Sequence, residues 1–161
     1  MNTAFLLLGG NLGNRVEYLD VAKGWIQQRC GAIVQSSSMY ETAPWGRKDQ
    51  PAFLNQAVQV NTTLTARELM KQLLEIEKLM GRERSEKYGP RVIDIDILLF
   101  NDEKWDDSSL KIPHPELQNR RFALVPLAEI GGTVEHPVLK KSISLLLAEC
   151  PDQLEVMKYA G

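Results

Sequence analysis

The sequence has little cysteine and little net charge. Cys30 and Cys150 are the only cysteines in 161 residues, too few for a disulfide framework and not spaced as metal ligands, so we expect two ordinary buried thiols in a reducing compartment. The formal net charge is −2, from 19 basic and 21 acidic residues. This excludes a global field that recruits nucleic acid or an anionic membrane. Any phosphate site must therefore be local.

Long apolar runs are also missing. The first apolar segment, residues 4–8, has no basic leader or cleavage pattern and is too short to cross a bilayer. We therefore expect a cytoplasmic protein that does not contact a membrane. The chain has 161 residues, 43% of them hydrophobic, without a repeat or a linker, so we expect one globular domain over residues 1–161.

The spacing of the apolar residues is typical of strands in some segments and of helices in others. Short apolar runs predict strands at residues 4–8, 32–38, 56–62 and 92–100. Asn14 with Glu17, and Thr65 with Glu68, have capping-box spacing before helical periodicity. The resulting order, β-α-β-β-α-β, is typical of an antiparallel sheet backed by helices.

A C-terminal extension follows this core. Five prolines after residue 112 limit its elements to short pieces. We predict helical segments near residues 121–130 and 142–149, and a last strand near residues 154–159.

Two aspartates stand on the predicted fourth strand. Side chains alternate along a strand, so Asp94 and Asp96 share one face. The other face is predicted to carry Ile93, Ile95, Ile97 and Leu99. At a rise of about 3.3 Å per residue the two aspartate Cα atoms are about 6.6 Å apart, close enough to bind one ion or bridge two. Magnesium prefers such oxygen ligands together with substrate phosphates. The alternative is a solvated sheet face with salt-bridging partners.

A basic segment precedes this strand. It contains Arg82, Arg84, Lys87 and Arg91, and guanidinium groups bind phosphate oxygens bidentately. An acidic pair beside a basic loop is typical of a metal-nucleotide site. A solvated charge run is the alternative for the loop alone. The glycine-rich residues 9–14 match neither common phosphate-loop motif and are interpreted as a strand-to-helix turn whose backbone could lie near a ligand.

Two aromatic residues have polar neighbours. Phe53 precedes Asn55 by two residues, and Phe122 follows an Asn-Arg-Arg stretch. Two aromatic rings can sandwich a flat heterocycle while an amide binds its edge. The alternative is an ordinary core position for each phenylalanine. His114, between two prolines, is either an exposed loop residue or a phosphate contact.

Several short motifs occur in a characteristic order. They are Gly-Asn-Leu at 10–12, Tyr-Glu-Thr-Ala-Pro at 40–44, Asp-Gln-Pro-Ala-Phe-Leu-Asn at 49–55, Gly-Arg at 81–82 with Arg84, Gly-Pro-Arg-Val-Ile-Asp-Ile-Asp-Ile at 89–97, Pro-His-Pro at 113–115 and Asn-Arg-Arg-Phe at 119–122. Together they resemble the 6-hydroxymethyl-7,8-dihydropterin pyrophosphokinases of folate biosynthesis over nearly the whole chain.

The resemblance implies a fold and a reaction. The fold is ferredoxin-like α+β, and the enzyme is usually monomeric. It transfers the terminal diphosphate of ATP to the hydroxymethyl group of the pterin, with AMP as the other product. Asp94 and Asp96 are implied to coordinate two Mg²⁺ ions, and Arg82 and Arg91 to serve the transferring phosphates.

The resemblance also implies substrate-binding residues. Those for the pterin are Thr42, Pro44, Trp45, Phe53, Asn55 and Phe122. Those for the nucleotide are Glu77, Arg82, Arg84, Tyr88, Arg91, Ile97, Lys111, His114 and Arg120. Pro115 stands where some members have an aromatic residue, and Ser85 replaces a basic one, so nucleotide contacts are where this chain departs from the family.

Residues alone leave two rival functions open. An Asp-x-Asp strand also suits another two-metal phosphoryl or nucleotidyl transferase, because it does not select the acceptor. A noncatalytic module that stacks RNA bases on aromatic residues is the second rival, although the small net charge argues against it. We further expect the loops at 43–51 and 82–91 to close over ATP and exclude water.

Overall fold

The structure is a computed structural model, and it describes residues 1–43, 50–81 and 91–160. The predictions for Pro44, Trp45, Arg82, Arg84 and Tyr88, and for most of the two loops, lie outside the described residues. The strands are β1 (Asn2–Gly10), β2 (Gly31–Ser36), β3 (Tyr40–Thr42), β4 (Phe53–Thr62), β5 (Asp94–Phe100), β6 (Trp105–Asp106), β7 (Lys111–Ile112) and β8 (Val156–Lys158). The helices are α1 (Arg15–Arg29), α2 (Ala66–Leu79), α3 (Arg121–Gly131) and α4 (Ile143–Ala148), with a 3-10 turn at Leu117–Asn119.

The main sheet is antiparallel and has six strands. Its order is β5-β1-β4-β3-β8, and β2 pairs with β4 beside β3. The units β1-α1-β2 and β4-α2-β5 therefore interleave, with β1 and β4 adjacent at the centre. This arrangement confirms the predicted ferredoxin-like core. β6 and β7 form a separate two-stranded hairpin that the sequence pattern did not predict.

Helices cover both faces of the sheet. Ala4, Leu6 and Leu8 of β1 pack into a core with α1 and α2, whereas Phe5 and Leu7 pack into a second core with α3 and α4. Because β1 is buried on both faces, it forms the continuous apolar run seen in the sequence. The C-terminal extension thus supplies the second helical layer, and β8 pairs with the edge strand β3.

Local signals marked the helix starts correctly. The Asn14 side chain accepts a hydrogen bond from the Glu17 amide at 3.1 Å. Thr65 and Glu68 form both hydrogen bonds of a capping box. The helices predicted in the extension are confirmed as α3 and α4, and the last strand as β8.

The prediction for Leu99 is wrong. Phe5 pairs with Leu99 but Leu6 pairs with Ile97, so Leu98 is an extra residue in β5. Such a bulge reverses the alternation of side chains beyond it. Leu99 therefore packs in the core with α3 and α4, whereas Ile95 and Ile97 pack with α1 and α2.

Two strand boundaries also differ from the prediction. β4 starts at Phe53, three residues earlier than predicted, and β5 starts at Asp94, two residues later. β3 was not predicted, since three residues carry too little periodicity. No helix among the described residues combines the length and the apolar character needed to cross a membrane.

Candidate active site

A cavity lies at one end of the sheet, on the face that carries α3 and α4. There the C-terminal end of β1 lies between the N-terminal ends of β4 and β5. The space is about 590 Å³, including its opening to solvent. Its lining residues are Leu7, Gly9, Thr42, Ala43, Phe53, Asn55, Arg91, Asp94, Asp96, Arg120 and Phe122.

The two aspartates share one face of β5, as predicted. Asp94 pairs with Gly9 and Asp96 with Leu7, and both residues of β1 line the cavity. Residues paired across an antiparallel ladder point to the same side, so both carboxylates face this space. Both aspartates are half-buried. The face assignment, on which the metal hypothesis depends, is therefore confirmed.

The carboxylate pair suits magnesium. Within residues 1–43, 50–81 and 91–160, no group of three or more His, Cys, Asp or Glu side chains forms a metal cluster. Magnesium is commonly bound by one or two carboxylates, with substrate phosphates and water completing its shell. Asp94 and Asp96 supply two carboxylates and have open space beside them. They therefore suit a magnesium ion that also binds phosphates and water, rather than an ion enclosed by protein ligands alone.

Arg91 lies between the acidic pair and an aromatic ring. Its Nη1 is 3.2 Å from Asp94 Oδ2, and the two side chains are 15% and 22% exposed. Its guanidinium carbon is 5.5 Å from the centroid of the Phe53 ring. A cation held in this way by a carboxylate and a ring face is well placed for a phosphate group in the same cavity.

Asn55 reaches the cavity because residue 9 has no side chain. Asn55 is 4% exposed, and Gly9 is its partner in the β1–β4 ladder. A Cβ atom on residue 9 would lie 2.0 Å from Asn55 Oδ1. The sequence interpretation allowed the backbone of residues 9–14 to lie near a ligand but did not name Gly9 as a site residue, although two glycines at a strand end signal a close approach.

Two phenylalanines enter the cavity from different elements. Phe53 is the first residue of β4, and Phe122 lies in the first turn of α3. The guanidinium carbon of Arg120 is 5.7 Å from the Phe122 ring centroid. The structure thus brings together the aromatic pair, the amide and the acidic pair that the sequence placed on separate segments.

Other predicted nucleotide residues lie outside the lining of this cavity. Glu77 is 2% exposed and accepts a hydrogen bond from the Ile95 amide at 2.7 Å. Ile97 is 2% exposed in the core with α1 and α2. Lys111 lies on β7, where its Nζ is 3.7 Å from Asp106 Oδ1. It lines a separate depression together with His114. The nucleotide roles of these four predicted residues stay predictions.

His114 is held neutral. Burial and the neighbouring Arg120 charge lower the pKa of its imidazole to about 4, against the opposite influence of Asp94 and Glu116. Its Nδ1 accepts a hydrogen bond from the Glu116 amide at 3.2 Å. A neutral ring that accepts at Nδ1 has its proton on Nε2. His114 therefore presents one N–H donor and no charge at neutral pH.

Comparison with known proteins finds matches over most of this chain. A family model described as 7,8-dihydro-6-hydroxymethylpterin-pyrophosphokinase (HPPK) matches residues 5–132. Among curated proteins, the 2-amino-4-hydroxy-6-hydroxymethyldihydropteridine pyrophosphokinase of Bacillus subtilis is 44% identical, over 83% of this chain and 81% of that protein. The enzyme of the same name from Aquifex aeolicus is 40% identical, over 89% of each chain.

Solved structures show the same fold. The wild-type HPPK-DHPS protein of Plasmodium falciparum with SDX-DHP superimposes with a TM-score of 0.75 at 21% identity. The match covers 92% of this chain but 43% of that longer chain. The same protein with pterin and p-hydroxybenzoate gives a TM-score of 0.73 at 22% identity, with the same coverage of both chains.

Proposed function

The chain belongs to the 7,8-dihydro-6-hydroxymethylpterin-pyrophosphokinase family, and from its cavity we propose how it performs that family's reaction. The reaction is pyrophosphoryl transfer to hydroxymethyldihydropterin in folate biosynthesis. We propose that ATP is the donor, that its terminal diphosphate moves to the hydroxymethyl oxygen, and that AMP leaves. Two Mg²⁺ ions, held by Asp94 and Asp96, complete the proposal.

One observation carries this proposal. Gly9 pairs with Asn55 on one side and with Asp94 on the other. The amide and the carboxylate therefore face the same space from strands two positions apart, about 10 Å at the backbone. A pterin bound at Asn55 would extend its hydroxymethyl group toward Asp94.

The aromatic pair and the amide are assigned to the pterin. Phe53 and Phe122 would stack on the two sides of its ring, and Asn55 offers both a donor and an acceptor to its edge. The Thr42 hydroxyl already donates to the Glu155 carbonyl at 3.1 Å. We therefore assign the contribution of Thr42 to its backbone, and propose Pro44 and Trp45 as further pterin contacts.

The charged residues are assigned to the phosphates. Magnesium, when bound at Asp94 and Asp96, supplies charge neutralisation and orientation for the polyphosphate. Arg91 and Arg120 line the same space and would bind the nonbridging oxygens. Catalysis then comes from positioning and electrostatic stabilisation, without a covalent enzyme intermediate. Arg82, Arg84, Tyr88, Glu77, Ile97, Lys111 and His114 are proposed as further nucleotide contacts.

Calorimetry tests the two-substrate site. The pterin alcohol is titrated into the protein with and without magnesium and a nonhydrolysable ATP analogue. The proposal expects magnesium-dependent binding of the analogue, and a pterin heat that changes once the analogue is present. A pterin that does not bind under either condition would contradict it.

Product analysis separates the proposal from its rival. AMP together with a pyrophosphorylated pterin supports diphosphate transfer from ATP. ADP indicates transfer of a single phosphate, and free pyrophosphate indicates nucleotidyl transfer. Either of these products would sink the proposed reaction.

The setting of the enzyme also stays a prediction. We propose a cytoplasmic monomer with one domain over residues 1–161 and with small-molecule substrates rather than nucleic acid. Sedimentation equilibrium of the purified protein tests the monomer, and a mass twice that of the chain would refute it.

A further inference from the structure

Asn11 is a buried polar residue that the reaction described above does not use. It follows directly after β1 and is 2% exposed. A buried amide must find partners for its two N–H donors and its oxygen, or destabilise the fold. Where those partners lie indicates what this residue does.

One side of Asn11 binds the backbone of Arg91. The side-chain oxygen Asn11 Oδ1 accepts a hydrogen bond from the Arg91 backbone amide at 2.9 Å. The Asn11 backbone amide donates to the Arg91 carbonyl at 3.0 Å. The two backbones are also close together at Gly10, because a Cβ atom on that residue would lie 2.2 Å from the Val92 carbonyl oxygen. Two hydrogen bonds to a single residue set both its position and its orientation.

The other side of Asn11 binds the segment that leads into β4. Its Nδ2 donates to Gln50 Oε1 at 2.9 Å and to the Pro51 carbonyl at 3.0 Å. Pro51 is two residues before Phe53, which starts β4 and lines the cavity. The side-chain NH₂ group of Asn11 therefore donates to the segment that leads to Phe53, on the proposed pterin side of the site.

We propose that Asn11 is a positioning residue, which holds Arg91 and the segment Pro51–Phe53 at one separation. Arg91 contacts Asp94 through its side chain and lies over the Phe53 ring, so its backbone must be placed relative to both. A single buried amide that binds both chain segments does this. Asn11 thereby couples the phosphate-binding side of the cavity to its pterin-binding side.

The substitution Asn11→Asp tests this role on one side at a time. It keeps an oxygen that accepts from the Arg91 amide, but it turns the donor toward Gln50 and Pro51 into an oxygen. The Pro51 carbonyl oxygen then faces a carboxylate oxygen, and the segment before Phe53 is pushed away. This kinetic test rests on the proposed function. We expect the KM for the pterin to rise at least tenfold, while the KM for ATP with magnesium changes less than twofold.

Asn14→Asp is the matched control. It makes the same chemical change three residues further along the same turn, and aspartate still caps α1. It should leave both KM values within twofold of the wild type. Equal effects of the two substitutions, or equal rises of both KM values in Asn11→Asp, would overturn the proposal, because a general structural defect or an added charge would explain them.

A second variant avoids a new charge. Gln50→Ala removes one acceptor of the Asn11 amide and should raise the pterin KM in the same direction by about threefold. Combined with Asn11→Asp, it should add less than its separate effect, since the two residues act through one contact. Full additivity would count against the coupling.

Hydrogen exchange tests the contact without any reaction. In the ligand-free protein the Arg91 amide should exchange at least tenfold faster in Asn11→Ala than in the wild type. The Ala57 amide, which donates to Ser37 Oγ at 2.9 Å, serves as the internal reference and should not change. If the wild type fails to act on the pterin but this difference appears, the proposed function fails and the positioning role stands. If the wild type is active and the Arg91 amide is unaffected, the positioning role fails.

Discussion

The side chain of Asn55 occupies the space in which residue 9 would carry a Cβ atom. That atom would lie 2.0 Å from Asn55 Oδ1, far inside any van der Waals contact. The absence of a side chain at Gly9 is therefore what allows a buried amide to face the cavity beside Asp94. Glycine at this position serves the site rather than a turn.

Gly9→Ala should displace Asn55 and weaken pterin binding. The added methyl group forces Asn55 or the strand to move, at a cost of about 1–3 kcal/mol in stability. We expect the Kd for the pterin to rise at least tenfold, and the melting temperature to fall. Calorimetry and thermal unfolding measure the two effects.

Gly24→Ala is the control for this substitution. Gly24 is an exposed residue of α1 with no atom within 4 Å of a Cβ atom placed there. Alanine in a helix is about 0.5–1 kcal/mol more favourable than glycine, so this variant should gain stability and keep its affinity. A Gly9→Ala variant that binds the pterin as tightly as the wild type would refute the role given to residue 9.

Asp96→Ala should lose activity and keep its fold. Removing one of two neighbouring carboxylates relieves repulsion in the metal-free protein but removes a proposed magnesium ligand. We expect turnover to fall at least about 100-fold, with circular dichroism and melting temperature near those of the wild type. Asp20→Ala, on the exposed face of α1, should change neither. A variant that unfolds outright would show that Asp96 is a structural residue.

Phe53→Leu should weaken pterin binding by about 10- to 100-fold, because leucine keeps an apolar surface but offers no aromatic face for stacking. It also removes the ring beneath the Arg91 guanidinium. Phe53→Tyr keeps the ring and should bind within about threefold of the wild type. Fluorescence titration with the pterin measures both, and equal losses in the two variants would contradict stacking.

The low pKa of His114 predicts a pH dependence of stability. The pKa of its imidazole is lowered from 6.5 to about 4 by burial and Arg120, so below pH 6.5 the unfolded chain binds a proton that the folded protein does not. The free energy of unfolding therefore carries a contribution that is complete above pH 6.5 and is lost as pH falls toward 4. Water reaches this half-buried ring, so we expect about 1–2 kcal/mol.

The measurement compares urea unfolding of the wild type and His114→Asn across this range. The wild type should lose more stability than the variant between pH 7 and pH 4. Burial also lowers the pKa of His136, but that residue is present in both proteins and cancels in the difference. Parallel pH profiles would contradict a low pKa at His114.

Part of the fold was predictable because its causes are local. The hydrogen bonds of the capping box at Thr65 and Glu68 span three residues, and spacing alone identified them. The alternation of Asp94 and Asp96 follows from the strand period of two residues. The same rule failed at Leu99, because the bulge at Leu98 depends on how β1 and β5 fit together over their cores.

The candidate site was predictable as a set of residue types but not as an arrangement. Motifs named Phe53, Asn55, Asp94 and Phe122, and the cavity brings these four together. The motif at residues 10–12 contains Asn11, but the sequence assigned no specific role to Asn11 or Gly9, because those roles depend on atoms of other strands and loops. Gly9 contacts Asn55, and Asn11 contacts Arg91 and Pro51. These residues are far apart in the sequence, and only folding brings them close.

What the sequence by itself determined is the order of strands and helices, the shared face of the two aspartates and membership of a family, since each depends on spacing or motifs along the chain. Only the tertiary structure decided that Gly9 lies between Asn55 and Asp94, and that Asn11 binds both Arg91 and Pro51. The physical reason is that strand register and close packing depend on distant segments fitting together, and local propensity carries no record of that fit.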